Sequence, residues 1–343
     1  MAELSDTLLF VAAVTYVAAM VGYLVEFAFG TRGAVARVAT RPARELVAVG
    51  APTGGASGVD VVSPVQPDRP EREDTTPSAG RTGVAGVIGV ALTVVGLAVH
   101  VAVLVTRGLA AERVPLGNMY EFVVALTAVC VIGWIGLLFV RPTLRPLGVF
   151  VTGALVLLLG FAGLVLTTPA APLMPALQSA WLKVHVSAAA AASGLLLLAF
   201  VPAALFLIRA GYDARSVPTE DGAPARPVGF PYSLGRALPA ADTLERLTFR
   251  LHAFAFPIWT LAIICGAIWA EAAWGRYWGW DPKETWSFVS WVAYAAYLHA
   301  RATPSVKRTT ATWFSVVAWL TMVVNLYVIN YVAVGLHSYA GLE

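Results

Sequence analysis

The 343-residue chain is 58% hydrophobic and only 13% charged, which excludes an ordinary soluble globular domain, since those keep about a quarter of their residues charged. A net charge of +3 is too small to argue for a nucleic-acid partner. The two cysteines, Cys130 and Cys265, lie inside apolar runs, and no CxxCH occurs, so a disulfide framework, a CxxC metal pair and covalently attached haem are all excluded.

In chain order, apolar runs long enough to cross a bilayer, about 20 residues each, fall near 8–29, 83–106, 121–140, 147–167, 184–208, 251–270, 284–300 and 311–334. The expected fold is an all-α polytopic membrane protein of about eight transmembrane helices. The first run is read as a helix and not a signal peptide, because its leader MAELSD is acidic where a signal peptide is basic. Residues 1–29 form this first transmembrane helix. Residues 30–82, rich in Pro, Gly, Ser and acids between 50 and 80, read as a disordered linker. Residues 83–343 form the membrane core.

The loops 30–82, 141–146, 209–250 and 301–310 hold 18 of the 23 lysines and arginines. The positive-inside rule makes these loops cytoplasmic and both termini extracytoplasmic. The outward loop between the sixth and seventh helices then carries WGRYWGWDPKETW, residues 274–286. Its charged groups keep it out of the hydrocarbon. Asp281 as N-cap, Pro282 at N1 and Glu284 at N3 predict the start of the seventh helix, fixing Trp278 and Trp280 as a shelf outside it.

Single tryptophans such as Trp134 fit an interfacial aromatic belt, but seven of the eleven fall between Trp259 and Trp291. That cluster reads as a platform for a flat apolar ligand with charged edges: a porphyrin, a quinone or a lipid head. Histidines discriminate, because imidazole is the common axial ligand of haem iron. His185 begins the fifth helix and His337 follows the eighth, both on the side of the tryptophan loop. His299 lies roughly 27 Å along the seventh helix, at inner depth. His252 is at similar inner depth, and His100 sits in the outer leaflet of the second helix.

At these residues the sequence resembles a known family. WGRYWGWDPKETW resembles the tryptophan-rich WWD signature of haem-handling proteins, and residues 266–301 around it resemble the CcsA (ResC) branch of the system II cytochrome c synthase, called CcsB in actinobacteria. PLGNMYEF, residues 115–122, and VGLHSYA near the C-terminus are similar to further family segments. The resemblance implies a subunit that receives haem b as substrate and cargo and presents it outside the plasma membrane, for thioether attachment to apocytochrome CxxCH. It implies His185 and His337 as external axial ligands and His299 as an intramembrane ligand. The other inner ligand is implied to come from a ResB-like partner, with thiol-reducing proteins as further partners. His252 leaves an intrachain inner pair open.

Within the loop, Trp274, Trp278, Trp280, Asp281 and Trp286 are the candidate haem-contacting residues, and Arg276 and Lys283 are candidates for the haem propionates or for lipid phosphate. Asn118 with Glu121 reads as a helix-start pair. Two other functions remain open on sequence: a b-type membrane electron carrier linked to quinol, and a haem transporter or chaperone without synthase activity.

Overall fold

The computed structural model describes residues 1–30, 79–172, 178–216, 228–333 and 335–337. Its helices are α1 (Ala2–Phe29), α2 (Ala79–Ala111), α3 (Met119–Val140), α4 (Gly148–Val165), α5 (Ala180–Arg215), α6 (Ala241–Trp274), α7 (Pro282–Ala302) and α8 (Arg308–Val323). A π-helical segment, Val324–Val328, carries α8 on into the short α9, Ile329–Val332. Among the described residues there is no strand.

The protein is an all-α polytopic membrane protein. Among the described residues, seven segments are long and apolar enough to span: α1, α2, α3, α4 with the 3-10 turn before it, α5, α6, and α8 with its π segment. The expected eighth span is α7, a helix of 21 residues, about 31 Å long. It falls short on composition because it carries Lys283, Glu284, His299 and Arg301. α2 begins at Ala79, inside the segment expected to be linker. The rest of that expectation, residues 31–78, lies outside the described residues, as do 217–227 and the C-terminal Glu343.

α5 packs along α6, α1 along α2, and α7 against α8. Glycines set the closest approaches. A Cβ at Gly194 of α5 would meet Val129 and the Cys130 amide of α3, so this crossing requires a residue without a side chain. One buried cluster, including Tyr16, Trp134, Leu155 and Leu197, binds α1 to α5. A second, including Leu196, Trp259, Tyr294 and Met322, binds α5 to α8. Cys130 and Cys265 are free and buried, the packing role expected for them.

Several charged side chains of the bundle are paired. Glu26 meets Arg145, Glu245 meets Arg301, and Glu121 meets both Arg107 and Arg113. The unpaired burial of any one of them would cost several kcal/mol, so removing a single partner is the damaging change.

Candidate functional site

The tryptophan-rich loop is shaped by three local devices. α6 stops after Trp274 because Gly275 adopts a left-handed conformation, φ 71°, which is cheap only for glycine. α7 starts where Asp281 accepts the Lys283 amide at 3.2 Å and Glu284 Oε2 accepts the amides of Asp281 at 3.1 Å and Gly279 at 2.8 Å, the reciprocal cap expected from the sequence. Between them Trp280 is held at φ 58°, a region that bulky side chains avoid unless neighbouring bonds impose it.

The Asp281 carboxylate also reaches the segment beyond α9. Its Oδ1 accepts the Leu336 amide at 2.7 Å, and its Oδ2 accepts Nδ1–H of His337 at 2.8 Å. Burial pushes this carboxyl upward, but the His337 N–H and the Leu336 and Lys283 amides outweigh it and hold the group below the usual carboxylate range. Asp281 is therefore an anion at neutral pH, anchoring the first turn of α7 and His337 together.

His185, in the second turn of α5, donates Nδ1–H to the Ala262 carbonyl of α6 at 2.8 Å. Its ring lies parallel to Trp269, with centroids 6.2 Å apart. Trp269 makes edge contacts with His337 at 5.9 Å and Trp274 at 4.7 Å, and Trp274 lies 5.2 Å from His337. One aromatic cluster thus carries both histidines.

The cluster walls one end of an apolar cavity of about 620 Å³, within the usual range for cofactor and ligand pockets. His185, His337, Trp269, Trp274, Trp278 and Lys283 line it at this end. It then follows α5 from Leu182 to Ile208, about 39 Å at 1.5 Å per residue, between α4, α5 and α8. Its lining is mostly apolar, with Lys283, Glu284, Ser287 and Asn325 as polar groups on the α7–α8 side. There Lys283 Nζ bonds Asn330, and Asn325 Nδ2 donates to Ser287 at 3.1 Å.

The structure brings together His185, His337, Trp274, Trp278, Lys283 and, behind His337, Asp281. Asn118 also lines the cavity while capping α3. Glu121 does not line it. Its carboxylate is taken up by Arg107, Arg113 and the Gly117 amide, a structural role. Trp280 is 67% exposed, and Arg276 is exposed beside it. Trp286 is partly buried and also lies off the lining.

The remaining histidines lie elsewhere. His100 is fully buried, with its ring nitrogens on Tyr16 Oη at 3.2 Å and the Val124 carbonyl at 2.9 Å, so both are engaged within the core. His252 is buried, bonded through Nδ1 to the Thr248 carbonyl and packed on Tyr294 and Tyr297. His299 is exposed on α7. His252 and His299 thus differ in exposure, the one packed against Tyr294 and Tyr297 of α7 and the other open on the same helix.

Sequence reasoning counted Trp269 in the tryptophan cluster without singling it out, and it missed Ser287, Asn325 and Asn330. Trp269 sits in the apolar run of α6, outside the loop motif, where nothing local distinguishes it from the other tryptophans of the cluster. Asn325 lies in the π segment and Asn330 in the short helix after it, and a π segment leaves no mark in hydropathy.

Residues 116–337 match the family of cytochrome c assembly proteins. The cytochrome c biogenesis protein CcsA of Guillardia theta is 34% identical over 252 residues, covering 70% of this chain and 81% of that protein. The CcsA proteins of Hordeum vulgare and Trieres chinensis are 31% and 30% identical, each over about 70% of this chain. The matched region contains the cavity, both of its histidines and the tryptophan loop, so the chain belongs to the cytochrome c assembly family as a CcsA-type cytochrome c biogenesis protein and serves cytochrome c maturation.

Proposed function

We propose that the protein carries haem b across the plasma membrane and holds it at the tryptophan-rich end, on the extracytoplasmic face. There the two thiols of an apocytochrome CxxCH add across the haem vinyl groups, each forming one C–S bond with its proton passing to the neighbouring vinyl carbon. The observation that carries this reading is the pair His185 and His337. Both stand on one cavity, and in each the Nδ1–H is donated to an oxygen, which puts the ring lone pair on Nε2. Two imidazoles suit an iron that brings its own four equatorial donors in a flat ring, and Trp269, Trp274 and Trp278 supply flat apolar walls.

Lys283, on the polar side of the cavity, is placed to meet a haem propionate. The apolar passage along α5 supports movement of a flat lipophilic cargo between the two ends of the bundle. The distribution of 18 of 23 basic residues on the opposite side supports an outward tryptophan loop and outward termini. At the inner end, His299 is exposed on α7 while His252 is packed among tyrosines, which favours a second inner ligand supplied by a ResB-like membrane partner. Thiol-reducing proteins that keep CxxCH reduced complete the set of partners.

Absorption spectra of the purified full chain titrated with hemin test the outer site. The expected product is a six-coordinate bis-imidazole spectrum that becomes five-coordinate in His185→Ala and in His337→Ala. The same spectrum in all three proteins would contradict the assignment.

A further inference from the structure

The two candidate iron ligands have different partners on Nδ1. His337 gives its Nδ1–H to the Asp281 carboxylate at 2.8 Å, and His185 gives its own to the Ala262 backbone carbonyl, also at 2.8 Å. The lengths are equal but the acceptors are not. A carboxylate draws the Nδ1 proton more strongly than a carbonyl does, which enriches the Nε2 lone pair and strengthens its bond to a metal.

The mounting differs as well. Asp281 is fixed by the Lys283 and Leu336 amides, and its own amide is held by Glu284. A Cβ at Gly335 would collide with the Asp281 carboxylate, so glycine there allows the strand of chain bearing His337 to close on it. His185 is oriented by one backbone carbonyl and the face of Trp269.

We infer that Asp281 makes His337 the strong, retained ligand of the haem iron and leaves His185 as the ligand that departs during transfer. This rests on the bis-histidine reading above and adds to it an order of ligand exchange. The product demands such an order. The histidine of CxxCH binds the iron of the finished cytochrome, so one synthase histidine must leave as it arrives. One Fe–N bond breaks as another forms, and the iron keeps its oxidation state. Asp281 acts here as a positioning residue, touching His337 and no reacting atom.

The test uses the purified full chain loaded with hemin and reduced with dithionite, and resonance Raman of the iron–histidine stretch. In His185→Ala, where His337 is the remaining ligand, the stretch is expected at higher frequency than in His337→Ala. Asp281→Asn should lower the frequency in the His185→Ala background and leave it unchanged in the His337→Ala background. Alone, Asp281→Asn should raise the haem midpoint potential. Asparagine remains a good N-cap, and equal thermal unfolding of the variants checks that α7 still starts where it should. Equal frequencies in the two histidine variants, or a stretch insensitive to Asp281→Asn, would overturn the inference while leaving the bis-histidine reading in place. A protein whose hemin spectrum is unaffected by loss of either histidine would overturn that reading first, and the inference with it.

Discussion

The His185 imidazole rests over Gly266 of α6: a Cβ at that position would stand 2.7 Å from the ring Cε1 and 2.8 Å from Nδ1. Glycine is required for the ring to reach the Ala262 carbonyl. Gly266→Ala is expected to push the ring aside and break that bond, at a net cost of about 1 kcal/mol, which is roughly a fivefold loss of hemin affinity. The displaced group is the far end of a side chain, so the bundle should stay folded. Hemin titration against thermal unfolding measures both effects, and unchanged affinity would remove His185 from the iron.

Glu284 holds the loop through two amides, Gly279 and Asp281, and a glutamine can accept the same bonds. Glu284→Gln should therefore support near-normal cytochrome c maturation. Glu284→Ala should lose about 1 kcal/mol of local stability and lower maturation further than that loss explains, because Asp281 and His337 shift with the loop. Maturation levels normalised to protein abundance distinguish the two variants, and equal activity would show that the cap serves only α7.

His252 and His299 separate stability from ligand supply. His252→Ala removes a buried ring bonded to the Thr248 carbonyl and packed on two tyrosines, so it should cost on the order of 2 kcal/mol with haem content preserved in the protein that folds. His299→Ala, at an exposed position, should leave unfolding unchanged and lower the haem content of the complex with its ResB-like partner. Equal haem loss in both variants of the isolated chain would instead favour an intrachain inner pair.

The parts of this architecture that the sequence displays are those governed by local rules. Hydropathy locates the helices because the bilayer demands about 20 apolar residues per span, and Asp281-Pro282-Lys283-Glu284 announces the start of α7 because a cap is a contact within four residues. The pairing of His185 with His337 follows from their shared side of the membrane. What stays hidden depends on helix rotation and on contacts distant in sequence. Trp269 joins the site because α6 turns that face toward α5. Asp281 reaches His337 across 56 positions. Trp280 and Arg276 belong to the same motif as Trp278, yet both are exposed and neither lines the cavity. Depth alone sets His252 beside His299, and it does not reveal that the first is packed on tyrosines while the second is exposed.

Topology is open to a direct check. Arg276 is exposed in the loop, while both native cysteines are buried and shielded from polar reagents. Arg276→Cys is expected to react with an impermeant maleimide in intact cells. Labelling only after lysis would reverse the orientation and the direction of haem movement.

The most direct test of the central claim is cytochrome c maturation in cells carrying His185→Gly or His337→Gly at wild-type protein abundance, with and without added imidazole. If the two histidines are the axial ligands of the transferred haem, each variant should lose maturation, and imidazole entering the vacated position should restore part of it. Normal maturation in either variant without imidazole would contradict the account.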